Sequence, residues 1–233
     1  MTLYIVATPI GNLQDITLRA IKILSEVDVI ACEDTRKTGL LLARSHLVRG
    51  LTSQRPQLIS YYEQNELQRI PQIISLLKEG KDVALVSNAG TPAISDPGFK
   101  LVREAIRQGI EVISIPGPSA ILTALTSSGL PTDKFLFLGY LPKKQGKRKK
   151  LLESMKTSQQ FNNLTIIFFE SPHRLLKALR DLQEVFGDIE IVICRELTKI
   201  HEEIRREKIS EAIKHFEQIK PKGEFTLLIF LQR

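Results

Sequence analysis

The chain has 233 residues, 42% of them hydrophobic and 25% charged, with a formal net charge of +7. Those values are ordinary for a globular protein and exclude disordered or collagen-like classes, and no apolar run approaches the ~20 residues that span a bilayer. The basic surplus favours a polyanionic partner, RNA being the natural candidate.

Residues 1–6 lack a basic leader and a cleavage site, so the expected location is cytoplasmic. Residues 3–7 predict a first strand, and Thr8-Pro-Ile-Gly-Asn12 the turn after it. Residues 15–24 have helical spacing, with Ile16, Ala20, Ile23 and Leu24 on one face. A second strand, 27–31, runs into Cys32-Glu-Asp-Thr-Arg36. A helix is expected over 39–47, then a loose stretch to Pro56, a short strand at 58–60 and a helix over 65–78. Pro71 is expected to perturb or restart the first turn of that helix. Cys32 and Cys194 lie far apart, each at the end of a strand pattern, and read as buried free thiols.

Residues 83–86 are a short apolar run bounded by turn residues, a buried parallel strand. The loop that follows, to Gly98, is longer than the usual ~2–6 residues of a strand-to-helix crossover. In it Asp96 is the expected helix cap and Pro97 the first helical position. After a helix and a strand at 111–115, Pro116-Gly-Pro-Ser-Ala120 breaks the rhythm. The domain boundary is set there: an N-terminal Rossmann-like α/β domain over 1–115 and a C-terminal α/β domain over 116–233. A short apolar helix over 121–127 follows. Further strands are expected at 135–138, 165–169, 190–194 and 225–231, and helices near 150–155, 173–185 and 210–218. Residues 202–208 are polar and ambiguous, compatible with an edge strand. Strands alternate with helices throughout, which argues for a parallel, doubly wound sheet.

In a parallel sheet the loops 8–12, 32–36, 87–98 and 116–120 all lie at the carboxyl edge, where open α/β sheets bind ligands. Three of them consist mostly of Gly, Pro and small or hydroxylic residues, which let backbone amides approach a ligand closely. The fourth carries Glu33, Asp34 and Arg36. A cap and an ion pair with Arg36 would account for its two acids equally well. No GxGxxG follows strand one, so a standard dinucleotide cofactor is disfavoured. His46, His173, His201 and His215 are scattered, and no metal site is expected. No GxSxG elbow supports a hydrolase.

Two further stretches carry candidate chemistry. Lys143, Lys144, Lys147, Arg148, Lys149 and Lys150 form a run uninterrupted by acid, either a phosphate-binding arm or a solvated loop. In Phe169-Glu-Ser-Pro-His-Arg174 a strand runs into Glu170, with Pro172 opening a helix. His173 and Arg174 fall in its first turn, an unfavourable place for a cation and one suited to gripping phosphate.

Together with Leu3-Tyr-Ile-Val-Ala-Thr-Pro-Ile-Gly-Asn-Leu13, Glu33-Asp-Thr-Arg36, residues 83–98, Pro116-Gly-Pro-Ser-Ala120, Arg195-Glu-Leu-Thr-Lys199 and Lys222-Gly-Glu224, the stretch Phe169–Arg174 resembles the ribosomal RNA small-subunit methyltransferase I family. That family lies within the tetrapyrrole methylase superfamily, and the motifs run in order over nearly the whole chain. The resemblance implies two α/β domains, a Rossmann-like parallel sheet and a mixed sheet, with S-adenosyl-L-methionine in a cleft between them. It implies a homodimer that 2′-O-methylates a cytidine ribose in the decoding region of 16S rRNA, in the 30S subunit, away from any membrane. Thr8, Pro9, Ile10, Asn88, Ala89, Gly90, Thr91, Ser119, Ala120 and Phe169 become the cofactor contacts by loop position and resemblance. Glu33, Asp34 and Glu170 are the candidate bases. Arg36, Arg174, His173 and the basic run are the RNA contacts. The family usually carries Asp where this chain has Asn88, and a histidine-containing segment where it has Tyr61-Tyr-Glu-Gln-Asn-Glu66. Two rival readings are a small-substrate methylase on the same scaffold and a non-catalytic RNA-binding or cofactor-sensing module.

Overall fold

The computed structural model describes residues 1–44 and 55–232. They form two compact units, Met1–Ser119 and Ala120–Arg233. Residues 116–119 go with the first unit because Thr91 Oγ1 donates to Pro118 O (3.2 Å) and Gly117 lies against Ala7.

The first unit holds five strands: β1 (Thr2–Val6), β2 (Val29–Cys32), β3 (Gln57–Ser60), β4 (Val83–Val86) and β5 (Glu111–Ile115). Their order is β3-β2-β4-β1-β5 and every pairing is parallel. Four helices cover the sheet: α1 (Leu18–Glu26), α2 (Thr35–Arg44), α3 (Glu66–Lys78) and α4 (Phe99–Arg107). Alternate strand residues feed two cores. Leu3, Ile5, Val29, Ala31, Val83 and Leu85 pack with Ile73 and Leu77 of α3 and Leu101 and Ala105 of α4. Val6, Ile30, Cys32, Ala84 and Val86 pack with Ala20 and Leu24 of α1 on the opposite face. The sheet is thus doubly wound, and the loops that follow its parallel strands leave one edge.

Several local expectations change. Helix α2 begins at Thr35, not at 39, because Asp34 Oδ1 accepts from the Arg36 amide (2.9 Å) and caps it. The remainder of the expected 39–47 helix and most of the loose stretch, with His46, lie outside the described residues. Helix α3 runs straight through Pro71, its Ile73, Ile74 and Leu77 held on the sheet. Helix α4 starts at Phe99, with Gly98 as its cap at φ 145°. Asp96 and Pro97 therefore belong to the loop. A Cβ at Gly98 would stand 2.8 Å from Leu85 Cδ2, so the chain turns there on a glycine.

The second unit opens with α5 (Ala120–Ser128) and holds β6 (Phe135–Tyr140), β7 (Leu164–Glu170), β8 (Glu190–Arg195), β9 (Glu203–Lys208) and β10 (Phe225–Leu231). The order is β6-β7-β10-β8-β9. Only β6 and β7 are parallel, so the sheet is mixed, and the polar segment around 202–208 is its edge strand β9. Three helices, α6 (Gln145–Thr157), α7 (Leu175–Phe186) and α8 (Ile209–Gln218), pack on one face. Helix α5 packs against β10 and β9. Both cysteines are buried and unpaired, and burial pushes the Cys194 thiol up to about 11, which makes it unreactive at neutral pH.

The basic run divides in two. Arg148 is 3% exposed, and its guanidinium meets Asp181 of α7, Nη2 at 2.5 Å and Nε at 2.7 Å, while Nη1 donates to Pro142 O (3.2 Å). Lys149 pairs with Glu184 of α7 at 2.6 Å. Both fasten α6 to α7, so Arg148 is a structural ion-pair partner and not an RNA contact. Lys143, Lys144, Lys147 and Lys150 are exposed. Because removing one partner strands a buried charge, Arg148→Ala should lower stability by about 3–5 kcal/mol in urea denaturation. Lys147→Ala should leave it within about 0.5 kcal/mol.

Candidate functional site

Three loops at the carboxyl edge of the first sheet are stitched together by backbone and hydroxyl hydrogen bonds. Thr8, just past β1, and Gly90, past β4, form an antiparallel bridge with an N–H···O bond of 2.9 Å in each direction. The Thr8 hydroxyl also donates to Ser87 O (3.3 Å). Thr91 reaches Pro118 in the loop after β5. A Cβ at Gly90 would meet Ile10 Cγ2 at 3.3 Å, and Gly90 has φ 77°, so space and conformation both select glycine there. Thr8, Pro9 and Ile10 are buried, and Ala89, Thr91 and Ser119 partly so. Thr8 and Gly90 therefore spend backbone groups on each other and act as scaffold for the loop.

Loop 87–98 is strained. Ala93 (φ 66°) and Ser95 (φ 61°) occupy the left-handed region without being glycine, at a cost on the order of 1 kcal/mol each. At the root of the loop Asn88 donates its amide to Glu33 Oε2 (3.3 Å). Its side-chain Oδ1 is buried and has no hydrogen-bond partner among the described residues. A buried acceptor without a donor is costly. At the carboxyl end of a central parallel strand, it fits an amino or hydroxyl group of a ligand.

Asp96 is the residue that the motif reading missed. Burial pushes its carboxyl up to about 6, the nearby Glu33 carboxylate adds to that, and the Ser87 hydroxyl works against it. Asp96 also borders a cavity of about 240 Å³ with Glu63, Glu66 and Lys100. Buried Glu66 accepts from Lys100 Nζ (2.5 Å) and from Tyr61 Oη (3.3 Å). The Tyr61-to-Glu66 segment therefore stands beside the Asp96 loop. A Ser-Asp-Pro-Gly string resembles a helix start, and the only sequence signal against that reading is the glycine after the proline.

The other candidate bases are differently occupied. Asp34 takes the Arg36 guanidinium on both oxygens, at 3.1 and 2.9 Å, and this holds its carboxyl down at about 2, where it is a weak base. Arg36 is nonetheless 87% exposed. In the second unit Glu170 has no exposed side-chain surface. Its Oε1 accepts from the Ser171 amide (2.8 Å) and its Oε2 from Arg174 Nη2 (3.1 Å). Burial raises its carboxyl, and those two donors oppose the rise. Arg174 Nη2 also holds Leu141 O (2.5 Å). Helix α7 begins one residue later, so Arg174 is its N-cap and ties β7 to the segment after β6. Glu170 and Arg174 are thus an internal ion pair rather than free groups, although Arg174 Nε is buried with no hydrogen-bond partner among the described residues. His173 is exposed. Phe169 packs edge-to-face on Phe137 and Tyr140, and Ala120 opens α5. Among the described residues no group of three or more His, Cys, Asp or Glu could hold a metal ion, and no helix is long and apolar enough to cross a membrane.

Because the folded carboxyl of Asp96 titrates above the ordinary ~3.9, its contribution to stability is complete below pH 4 and lost as pH rises through about 6. Asp96→Asn keeps the neutral form. Its melting temperature should exceed that of the parent by roughly 2–4 °C at pH 8 and match it at pH 4. A deficit of the same size at both pH values would contradict this.

The tetrapyrrole (corrin/porphyrin) methylase family matches residues 2–213. A ribosomal RNA small subunit methyltransferase I of Thermotoga maritima is 52% identical over 227 residues, 97% of either chain. Its counterpart from Halalkalibacterium halodurans is 47% identical, over 98% of this chain and 75% of that one. Among solved structures, a uroporphyrin-III-C-methyltransferase from Thermus thermophilus superposes with a TM-score of 0.61 at 18% identity, over 97% of this chain and 93% of that one. A cobalt precorrin-4 methyltransferase reaches a TM-score of 0.65 at 18% identity, over 97% and 94%. These two share the fold. The chain belongs to the tetrapyrrole methylase family and, within it, to the ribosomal RNA small subunit methyltransferase I proteins.

Proposed function

We propose that the chain methylates small-subunit ribosomal RNA, transferring a methyl group from S-adenosyl-L-methionine to the 2′-oxygen of a cytidine ribose in the decoding region of 16S rRNA, and that it does so on the 30S subunit as a homodimer. The rRNA substrate is supported by the relatives at 52% and 47% identity. The observation that carries the cofactor is Asn88 Oδ1, a buried acceptor without a donor at the carboxyl edge of the first sheet. Its neutral amide suits a ribose hydroxyl or amino group of the ligand. Thr91, Ser119 and Ile10 complete the wall on the strapped loops. When bound, S-adenosyl-L-methionine supplies a sulfonium-activated methyl group.

The residues of the chain then have three tasks. The strapped loops fix the angle at which ligand groups meet Asn88, and positioning is the main source of rate in an in-line displacement. Glu33 and Asp96 are the acceptors for the proton leaving the ribose hydroxyl. A carboxyl poised at about 6 is a stronger base than one held at about 2, which favours Asp96 over Asp34. Lys143, Lys144, Lys147 and Lys150, with Arg36 and His173, bind RNA phosphates.

Asn88→Leu should weaken S-adenosyl-L-methionine binding roughly 10- to 100-fold in calorimetry, the cost of removing a buried hydrogen bond. Unchanged affinity would remove Asn88 from the site. Replacing Lys143, Lys144, Lys147 and Lys150 with alanine should raise the KM for 30S subunits roughly tenfold or more and flatten its salt dependence, with cofactor affinity unchanged. Equal activity on subunits would favour a small substrate.

A further inference from the structure

Strand β6 contains an irregularity with a consequence for substrate recognition. Phe137 pairs with Ile167 of β7, but Tyr140 pairs with Phe169. Three steps along β6 match two along β7, so β6 carries one extra residue, a β-bulge. Gly139 at φ 64° supplies the left-handed turn it needs. Leu136 and Leu138 pack into the core under the helices. Without the bulge Tyr140, two residues beyond Leu138, would face the same core. With it, Tyr140 turns to the opposite face and meets Phe169 edge-on, with ring centroids 5.7 Å apart. Phe137 meets Phe169 from the other side at 4.9 Å. Tyr140 is 56% exposed and Phe135, on the same face, 42% exposed. Leu141 returns at once to the core, and the exposed Lys143 and Lys144 follow.

We infer that the bulge exists to present Tyr140, braced by Phe169, which Phe137 packs against in turn, as a stacking platform for one unpaired RNA base whose flanking phosphates lie along Lys143, Lys144 and Lys147. The inference rests on the rRNA reading and adds a recognition surface to it. An exposed ring already held edge-on by another loses little freedom when a base stacks on it. Cations within a few residues match the polyanion that carries such bases. An apolar protein partner would leave those lysines unmatched.

The test uses a single-stranded RNA bearing 2-aminopurine, whose fluorescence falls on stacking, alongside methyl transfer to 30S subunits. Tyr140→Phe should preserve the quench and the KM. Tyr140→Leu should abolish the quench and raise the KM for subunits roughly 5- to 100-fold, with calorimetric cofactor affinity unchanged. Gly139→Ala, which strains the bulge, should behave like Tyr140→Leu. Normal quench and KM in Tyr140→Leu would overturn the platform while leaving the methylation reading intact. A change in oligomeric state in Tyr140→Leu, with the quench retained, would overturn it in favour of a contact between copies. Quenching by a wild-type chain that fails to methylate subunits would support the platform and remove the rRNA reaction.

Discussion

The first unit depends on the reciprocal pair of backbone hydrogen bonds between Thr8 and Gly90. β1 and β4 are neighbours in the sheet, but their loops would splay apart once the ladder ends. The bridge carries the pairing past the ladder into the loops, and the bond from Thr91 to Pro118 brings in the third. Held at its root, loop 87–98 tolerates the unfavourable φ of Ala93 and Ser95. It can also keep Asn88 Oδ1 buried with an acceptor waiting, and Asp96 buried near Glu33 so that its carboxyl rises. Positioning is built here from backbone, which is why so few large side chains mark the site.

The second unit uses charge differently. The buried Arg148–Asp181 pair and the Glu170–Arg174 pair are internal, and each holds a carboxylate against a guanidinium. Fixing α6 by Arg148 and Lys149 leaves Lys147 and Lys150 of its first turns, and Lys143 and Lys144 just before it, facing solvent. A basic stretch that seems a uniform arm in sequence is therefore a folded helix start with buried fasteners and an exposed cationic side.

What could be read from the sequence followed from periodicity and order. Alternating strands and helices gave the doubly wound first unit, and the four loops after the strands gave the edge where a site should form, because strand direction alone sets both. Expectation and structure part where the partner of a side chain decides. Nothing near Arg148 announces Asp181, 33 residues on, and nothing near Glu170 says that Arg174 will turn inward. Ser-Asp-Pro-Gly fits a helix start with Asp96 as its cap. Gly98, at a φ that favours glycine, moves that start two residues on. The re-aiming of Tyr140 was invisible because a bulge shows only against the partner strand, although Gly139 is its trace in the sequence.

The central claim, ribose methylation of small-subunit rRNA, is tested most directly by the alkali resistance of the product. Unmodified 30S subunits are incubated with the chain and methyl-tritiated S-adenosyl-L-methionine, and the 16S rRNA is then hydrolysed in base. A 2′-O-methyl group removes the hydroxyl that attacks the neighbouring phosphate, so the label should appear in an alkali-resistant dinucleotide with cytidine at its 5′ side. Label recovered in mononucleotides would place the methyl on a base and contradict the account, as would the absence of label from the RNA.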